Sequence, residues 1–346
     1  MLLALLQFSA LAAVIIIAGI VLAHYADAIA EATGWGRLLV GSILLAGATS
    51  LPELSVDLSA IRLGLADLAV GDLLGSSLMN LMILAIVDLT TYSAGKMLSR
   101  TAAAHALSGV FSMGLTGIVG IGLLTANLAP GWEFLGVHLA VWVVAFGYLL
   151  GVRIVFLDQQ IVAAAAPEPS KSEADIVPTP LWQAALGFAA AAMVVLFAGP
   201  YLAESAGTIA ALTGLGNTFV GTTLVALCTS LPELAASVAA ARMGAIDLAV
   251  GNVFGSNAFN MLLFFPLDLM QPGSLFAAVQ PVHAISALAA IVATSVVIIG
   301  QLYQVENRTR FIEPDAIVVL AIIFCGLAIV YYTGAAHVPH PAEIAP

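Results

Sequence analysis

Two glutamates, Glu53 and Glu233, each follow a proline inside a long apolar run, in "TSLPEL" at 49–54 and again at 229–234. Proline has no N–H, so the carbonyls of Ala48 and Cys228, four residues earlier, lose their helical partner and the helix opens. In hydrocarbon a freed carbonyl must be satisfied by protein, water or a bound ion. Thr49, Ser50, Thr229 and Ser230 add hydroxyl oxygens beside the carboxylates. Oxygen-only ligands suit hard cations such as Ca2+ and Na+. A charge at mid-bilayer costs about 2.5–3.5 kcal/mol even on the lenient insertion scale. No Lys or Arg stands at matching depth, so a metal ion or a proton on each acid must neutralise the pair. Two carboxylates balance one Ca2+, two Na+ or two H+, which makes competition between cations for one site natural. The alternative is a kinked packing helix whose Ser and Thr bond back to their own turn. Recurrence of the whole Pro-Glu pair at matching places argues against it.

A second polar set stands 23 residues beyond the first. "GDLLGSSLMN" (71–80) puts Asp72, Ser76 and Asn80 at i, i+4 and i+8, on one helical face, and "GNVFGSNAFN" (251–260) does the same with Asn252, Ser256 and Asn260. Gly71, Gly75, Gly251 and Gly255 have the small-xxx-small spacing that lets helices approach closely. Tight packing with amide bonds between helices is the alternative use of this face.

These residues sit on elements set by composition. The chain has 346 residues, 62% hydrophobic and 8% charged, against about 25% charged in soluble domains. It reads as an all-α polytopic membrane protein. Ten apolar spans are expected near 3–24, 38–62, 67–89, 104–126, 132–156, 181–203, 217–242, 247–269, 279–303 and 315–334. The N-terminal run lacks a basic n-region and a cleavage motif, so it is the first span and not a signal peptide. A Pro-, Ala- and acid-rich linker, 157–180, separates five spans (1–156) from five more (181–346).

The halves are related. Residues 41–89 laid on 221–269 without a gap match at 22 of 49 positions, which marks a duplication. With the N-terminus outside, the inner loops hold Arg37, Lys96, Arg100, Arg153, Lys171, Arg242, Arg308 and Arg310, and the outer loops hold Arg62 alone. Both termini are then outside and the linker is cytoplasmic. Because five is odd, the second half enters from the opposite side, giving two inverted five-helix repeats. That symmetry is a signature of secondary transporters, with the site near the midplane where the repeats meet.

The stretches "GATSLPEL…DLAVGDLLGSSLMN" and "LCTSLPELA…DLAVGNVFGSNAFN" resemble the two α-repeats (38–89 and 218–269) of the cation/calcium exchanger superfamily, in its sodium/calcium exchanger branch. The resemblance implies a secondary active antiporter exchanging Ca2+ for Na+, with spans 1 and 6 sliding across a four-helix core to alternate access. It implies that Glu53 and Glu233 are the central cation ligands. Thr49, Ser50, Thr229, Ser230 and nearby backbone carbonyls complete the sites, and Ser76, Asn80, Ser256 and Asn260 face them. The sequence departs from the pattern at Asp72, where Asn252 and the family's usual Asn stand, at Ser77 in place of Asn, and at Asp57, whose counterpart is Ser237. These departures open the alternative of an H+-coupled Ca2+ or other divalent-cation exchanger.

Other classes fit less well. No basic patch suggests nucleic acid, despite the net charge of −11. No nucleophile–base pair suggests an enzyme, and a channel needs no pair of buried acids for tight, alternating occupancy. Cys228 and Cys325 lie in apolar segments, against a disulfide framework. The six histidines show no metal-ligand spacing. Asp67 and Asp247 are expected to complement helix N-termini, Asp88 and Asp268 to face interfacial water, and His24 and Asp27 to lie near a mouth. No resident cofactor is expected, since the ions are substrates. The lipid bilayer is the expected surroundings, and the compact loops suggest a bacterial inner membrane.

Overall fold

A computed structural model describes residues 2–90, 102–126, 131–165, 179–211, 221–303 and 314–335. Lys96, Arg100, Lys171, Arg308, Arg310, His337 and His340, most of the linker, and the Asp88 side chain lie outside the described residues. The first half consists of α1 (Leu2–Thr33), α2 (Arg37–Thr49), α3 (Leu51–Arg62), α4 (Ala66–Thr90), α5 (Ala102–Thr125), a hairpin of β1 (Glu133–Phe134) and β2 (Val137–His138), and α6 (Leu139–Ala165). The second consists of α7 (Leu181–Ala211), α8 (221–229), α9 (Leu231–Arg242), α10 (Ile246–Met270), the single turn α11 (Leu275–Ala278), α12 (His283–Tyr303) and α13 (Pro314–Ala335). Among the described residues, eight helices are long and apolar enough to cross a membrane, and the bent pairs α2–α3 and α8–α9 bring the number to ten.

Several ends differ from the hydropathy reading, because hydropathy marks what lipid tolerates while helix formation follows backbone preference. α1 runs nine residues past 24, and at 1.5 Å per residue its 32 residues span about 48 Å, longer than the ~30 Å hydrocarbon layer. α7 likewise continues past 203 to Ala211. The fifth span does not start at 132. Residues 133–138 form the hairpin, its turn closed by Leu135 and Gly136 at φ 54 and 76, a left-handed pair that suits hairpin twist but is uncommon for leucine. At its other end α6 runs on to Ala165, so the first residues of the 157–180 segment are helix, favoured by its alanines.

α4 and α10 form the centre. Of their most apolar 18-residue windows 89% and 83% is buried, against 22% for α1 and 17% for α7, which face outward. The packing is crossed between halves: α1 lies along α7 and on α9, while α7 lies on α3. The first turns of α2 pack on α10, and those of α8 on α4.

Missing side chains make these approaches possible. A Cβ on Gly251 would lie 2.6 Å from the Leu38 carbonyl, one on Gly255 2.4 Å from the Ser42 Cα, and one on Gly41 2.5 Å from the Leu248 carbonyl. Packing therefore accounts for the glycines of α10. A further pair, Gly19 and Gly199, stands 180 residues apart. A Cβ on Gly19 would lie 2.9 Å from the Pro232 carbonyl, and one on Gly199 2.5 Å from the Pro52 Cβ. The outer helix of each half thus rests on the proline of the other.

Candidate cation site

The helix breaks fall at Ser50 (φ −87, ψ 11) and Ser230 (φ −80, ψ 4), two residues before the prolines, with bends of 41° and 48°. Pro52 and Pro232 are the second residues of α3 and α9, where an N–H would have no intrahelical partner in any case. Each break is preceded by a π turn, Gly41–Leu45 and Gly221–Val225, a widened turn frequent at functional sites. The sequence locates the break but carries no mark of the π turns.

Both breaks are buried against α4 and α10. Glu53, Glu233, Asp57, Asp72, Ser76, Asn80, Asn252, Ser256 and Asn260 are all 0% exposed, and Thr49, Ser50, Thr229 and Ser230 at most 2%. The hydroxyls reach across the repeat boundary. Ser50 donates to Glu233 Oε1 at 3.0 Å, with Ser256 at 3.5 Å from the same oxygen. Thr229 donates to Asp72 Oδ1 at 3.0 Å, and Ser76 lies 3.2 Å from the Thr229 hydroxyl. On the equivalent diagonal Thr49 donates to Asn252 Oδ1 at 3.3 Å. Glu53 is close enough to Glu233 and Asp72 for their charges to interact, with Ser76 the hydroxyl facing it, yet neither Glu53 oxygen has a hydrogen-bond partner. Glu233 Oε2, Asp72 Oδ2 and the Ser230 hydroxyl are also unpartnered. Buried polar groups are normally satisfied, so a cluster of unsatisfied oxygens in an apolar interior is the electrostatic shape of a cation site. Among the described residues no three acids, His or Cys converge as a ready-made metal cage. A cation here would need hydroxyl or carbonyl oxygens beside its carboxylates.

Two expected members make no hydrogen bond to this cluster. Asn80 donates at 2.9 Å to Asn257, whose own amide donates to the Ser77 carbonyl. Asn260 is buried with both amide atoms unpartnered. Neither has a hydrogen bond to a glutamate. Asn257 escaped the sequence reading, although it stands opposite Ser77 in the repeat alignment and so offered a signal.

Of the acids at the span ends, Asp67 and Asp247 stand in the first turns of α4 and α10 as expected, whereas Asp268 departs from expectation. Asp268 does not face water: it is buried and accepts the backbone N–H of His138 at 2.6 Å and of Leu275 at 2.7 Å, holding the hairpin and α11 to α10. Asp67 and Asp247 each pair with a histidine of the other half, His283 at 3.0 Å and His105 at 2.9 Å, and Asp67 also accepts the Gln280 N–H. These symmetric ties join partners 216 and 142 positions apart, so local sequence gives no hint of them. Asp27 pairs with Arg37, and His24 is exposed.

Comparison with known proteins gives one consistent picture. The model of the family described as sodium/calcium exchanger protein matches residues 3–164 and 183–336. The putative antiporter CaxA of Alkalimonas amylolytica is 28% identical over 255 residues, 73% of this chain and 76% of that protein. The inner membrane protein YrbG of Escherichia coli K12 is 29% identical over 281 residues, 77% and 82% of the two chains. The sodium/calcium exchanger MaX1 of Methanosarcina acetivorans is 40% identical over a shorter stretch of 89 residues, 24% and 25% of the two. In three dimensions the sodium-calcium exchanger NCX_Mj, soaked with 10 mM Na+ and 10 mM Sr2+, superposes with a TM-score of 0.67 at 17% identity, covering 95% of this chain and 99% of that one; this likeness speaks to the fold. With a family match running through both repeats and ten spans built as two inverted halves, this chain belongs to the sodium/calcium exchanger protein family.

Proposed function

We propose that this chain is a secondary active antiporter that exchanges Ca2+ for Na+ by alternating access, with Glu53 and Glu233 as the central ligands of the transported cations. The observation that carries this reading is the pair of fully buried glutamates at two helix breaks, one from each half, with three of their four carboxylate oxygens lacking a partner. Oxygen ligands fit Ca2+ and Na+ alike, so one cluster serves both ions in turn, as an exchanger requires. Thr49, Ser50, Thr229, Ser230, Ser76, Ser256, Asp72, Asn80 and Asn260 complete the ligand set. α1 and α7, resting on the opposite prolines through Gly19 and Gly199, are the elements whose sliding opens one side or the other. The excess of basic residues in alternate loops supports both termini outside and the 157–180 segment in the cytoplasm, and the compact loops fit a bacterial inner membrane.

The test is 45Ca2+ uptake into proteoliposomes, driven first by an outward Na+ gradient and then by a pH gradient without Na+. Uptake driven by Na+ is expected. Uptake driven by pH alone would replace Na+ with H+ as coupling ion. A chain that shows no Ca2+ exchange under either gradient would overturn the reading.

A further inference from the structure

A groove on the outer surface of the helix bundle plays no part in ion binding. It runs between α1 and α9 with a volume of about 770 Å3, and Ile16 and Ile20 of α1 and Leu234, Ala235, Val238 and Ala239 of α9 form its walls. From Ile16 to Tyr25 it follows nine residues of α1, about 14 Å at 1.5 Å per residue. That is half of the ~30 Å hydrocarbon layer, so the groove is one leaflet deep. It passes the point where Gly19 meets Pro232 and Ala235, and toward the C-terminal ends of both helices its lining turns polar, with His24, Tyr25 and Arg242 at the mouth. By the count of basic residues this is the cytoplasmic end. Among the described residues Arg242 is exposed and has no ion pair, whereas Arg37 on the same face is held by Asp27 and Glu31.

The repeat supplies a control for this surface. Shifted by 180 positions, Arg242 falls on Arg62, Ala235 and Ala239 fall on Ser55 and Ser59, and His24 falls on Glu204. The corresponding first-repeat positions therefore carry hydroxyls in place of two alanines and an acid in place of the imidazole. The α1–α9 groove alone of the two combines apolar walls with a basic mouth, and none of the described residues lining it is acidic.

We propose that this groove binds one anionic phospholipid of the cytoplasmic leaflet, with an acyl chain along Ile20 and Val238 and the phosphate held by Arg242 and the His24 imidazole N–H. The volume lies within the ~300–1,000 Å3 range of ligand sites. A guanidinium takes phosphate oxygens in a two-pronged pair, and anionic headgroups attract basic side chains at the cytoplasmic surface. A zwitterionic lipid would fill the same walls, but its own cation offsets what Arg242 gains from its phosphate. The proposal rests on the antiporter reading for the side on which the mouth opens, and it extends that reading to regulation. Because α1 slides over α9, which carries Glu233 in its first turn, a chain wedged between them ties lipid occupancy to the rate of exchange.

The test is retention of phosphatidylglycerol by the full chain in detergent, counted by native mass spectrometry against phosphatidylcholine with the same acyl chains. Wild type is expected to keep one phosphatidylglycerol, bound about fivefold more tightly than phosphatidylcholine, as one arginine near an anionic headgroup provides. Arg242→Gln should abolish that preference, and Ala239→Trp, which fills the slot, should release either lipid. Arg242→Gln changes an exposed side chain and decides the matter alone where Ala239→Trp does not fold. Equal retention of the two lipids by wild type overturns the proposal, and so does a preference that survives Arg242→Gln. A second copy of the chain that Ala239→Trp releases would also overturn it, by making the groove a protein interface. In phosphatidylcholine proteoliposomes, added phosphatidylglycerol should change Na+-driven 45Ca2+ uptake by wild type and not by Arg242→Gln; an equal response of both overturns the link to exchange. Failure of the antiporter reading is separate: it appears as absent Ca2+–Ca2+ exchange by wild type, whatever the lipid count.

Discussion

The two helix breaks share a backbone and differ in chemistry. At the second, Glu233 is met by Ser50 and Ser256, and Asn252 is closed off by Ser237. At the first, Glu53 finds no donor from Ser230, and the Asn–Ser pair is replaced by Asp72 and Asp57. Both halves keep the π turn, the bend at serine, the proline two residues on, and the outer-helix glycine that lies over it. Backbone geometry in a packed interior tolerates little change, because a single Cβ at Gly199 or Gly255 would meet rigid atoms at 2.5 Å or less. Polar side chains facing a shared cluster can change as long as the total charge is balanced by ions. The comparison teaches that duplication holds the scaffold symmetric while the polar side chains around each break diverge.

The largest way to break the comparison is to remove the feature the halves share. Glu53→Gln and Glu233→Gln should each lower 45Ca2+ uptake by at least about 100-fold, since losing a residue that merely orients a ligand already costs about 10–100-fold in metal affinity. Both variants should still elute as folded protein in detergent. Normal uptake by either would remove that glutamate from the site.

Next is the sliding contact. Gly19→Leu and Gly199→Leu drive a side chain into Pro232 and Pro52, so each should arrest uptake and lower stability by about 1–3 kcal/mol. Thermal unfolding and uptake measured side by side check this. Similar losses in the two variants would support a symmetric contact, whereas a loss confined to one would mean that only one outer helix is constrained there.

Asn260→Asp adds to the second half a charge where Asn260 has no partner of its own. It should move the ratio of Ca2+ to Na+ affinity by roughly tenfold, which is about 1.4 kcal/mol, without abolishing exchange. An unchanged ratio would place Asn260 outside the ions' reach. The smallest effect belongs to the cross-repeat ties. His105→Leu and His283→Leu each lose one hydrogen bond to a partly exposed aspartate and should cost about 0.5–1.5 kcal/mol in unfolding experiments.

Much of this was legible in residue order alone. Ten spans, the duplicated segments and the polar faces of α4 and α10 all follow from periodicity and length, and the prolines locate the breaks to within two residues. The rest was not, for a common reason: it depends on contacts between distant segments. Nothing near Asp67 or Asp247 announces a histidine on a helix of the other half, and nothing near Asp268 announces a backbone donor from β2, 130 positions away. The π turns hide because an extra residue in a helical turn leaves the apolar pattern intact. Asp57 was visible as an acid opposite Ser237, but its complete burial with both oxygens unpartnered needed the fold.

The most direct measurement is a crystal structure of the full chain grown with Sr2+ in place of Ca2+, with the ion located by its anomalous signal. A peak between Glu53 and Glu233, with oxygens from both at distances near the Ca2+ range of about 2.3–2.6 Å, is expected. A peak elsewhere with the two glutamates unoccupied, or side chains that turn away from each other toward lipid, would contradict the account.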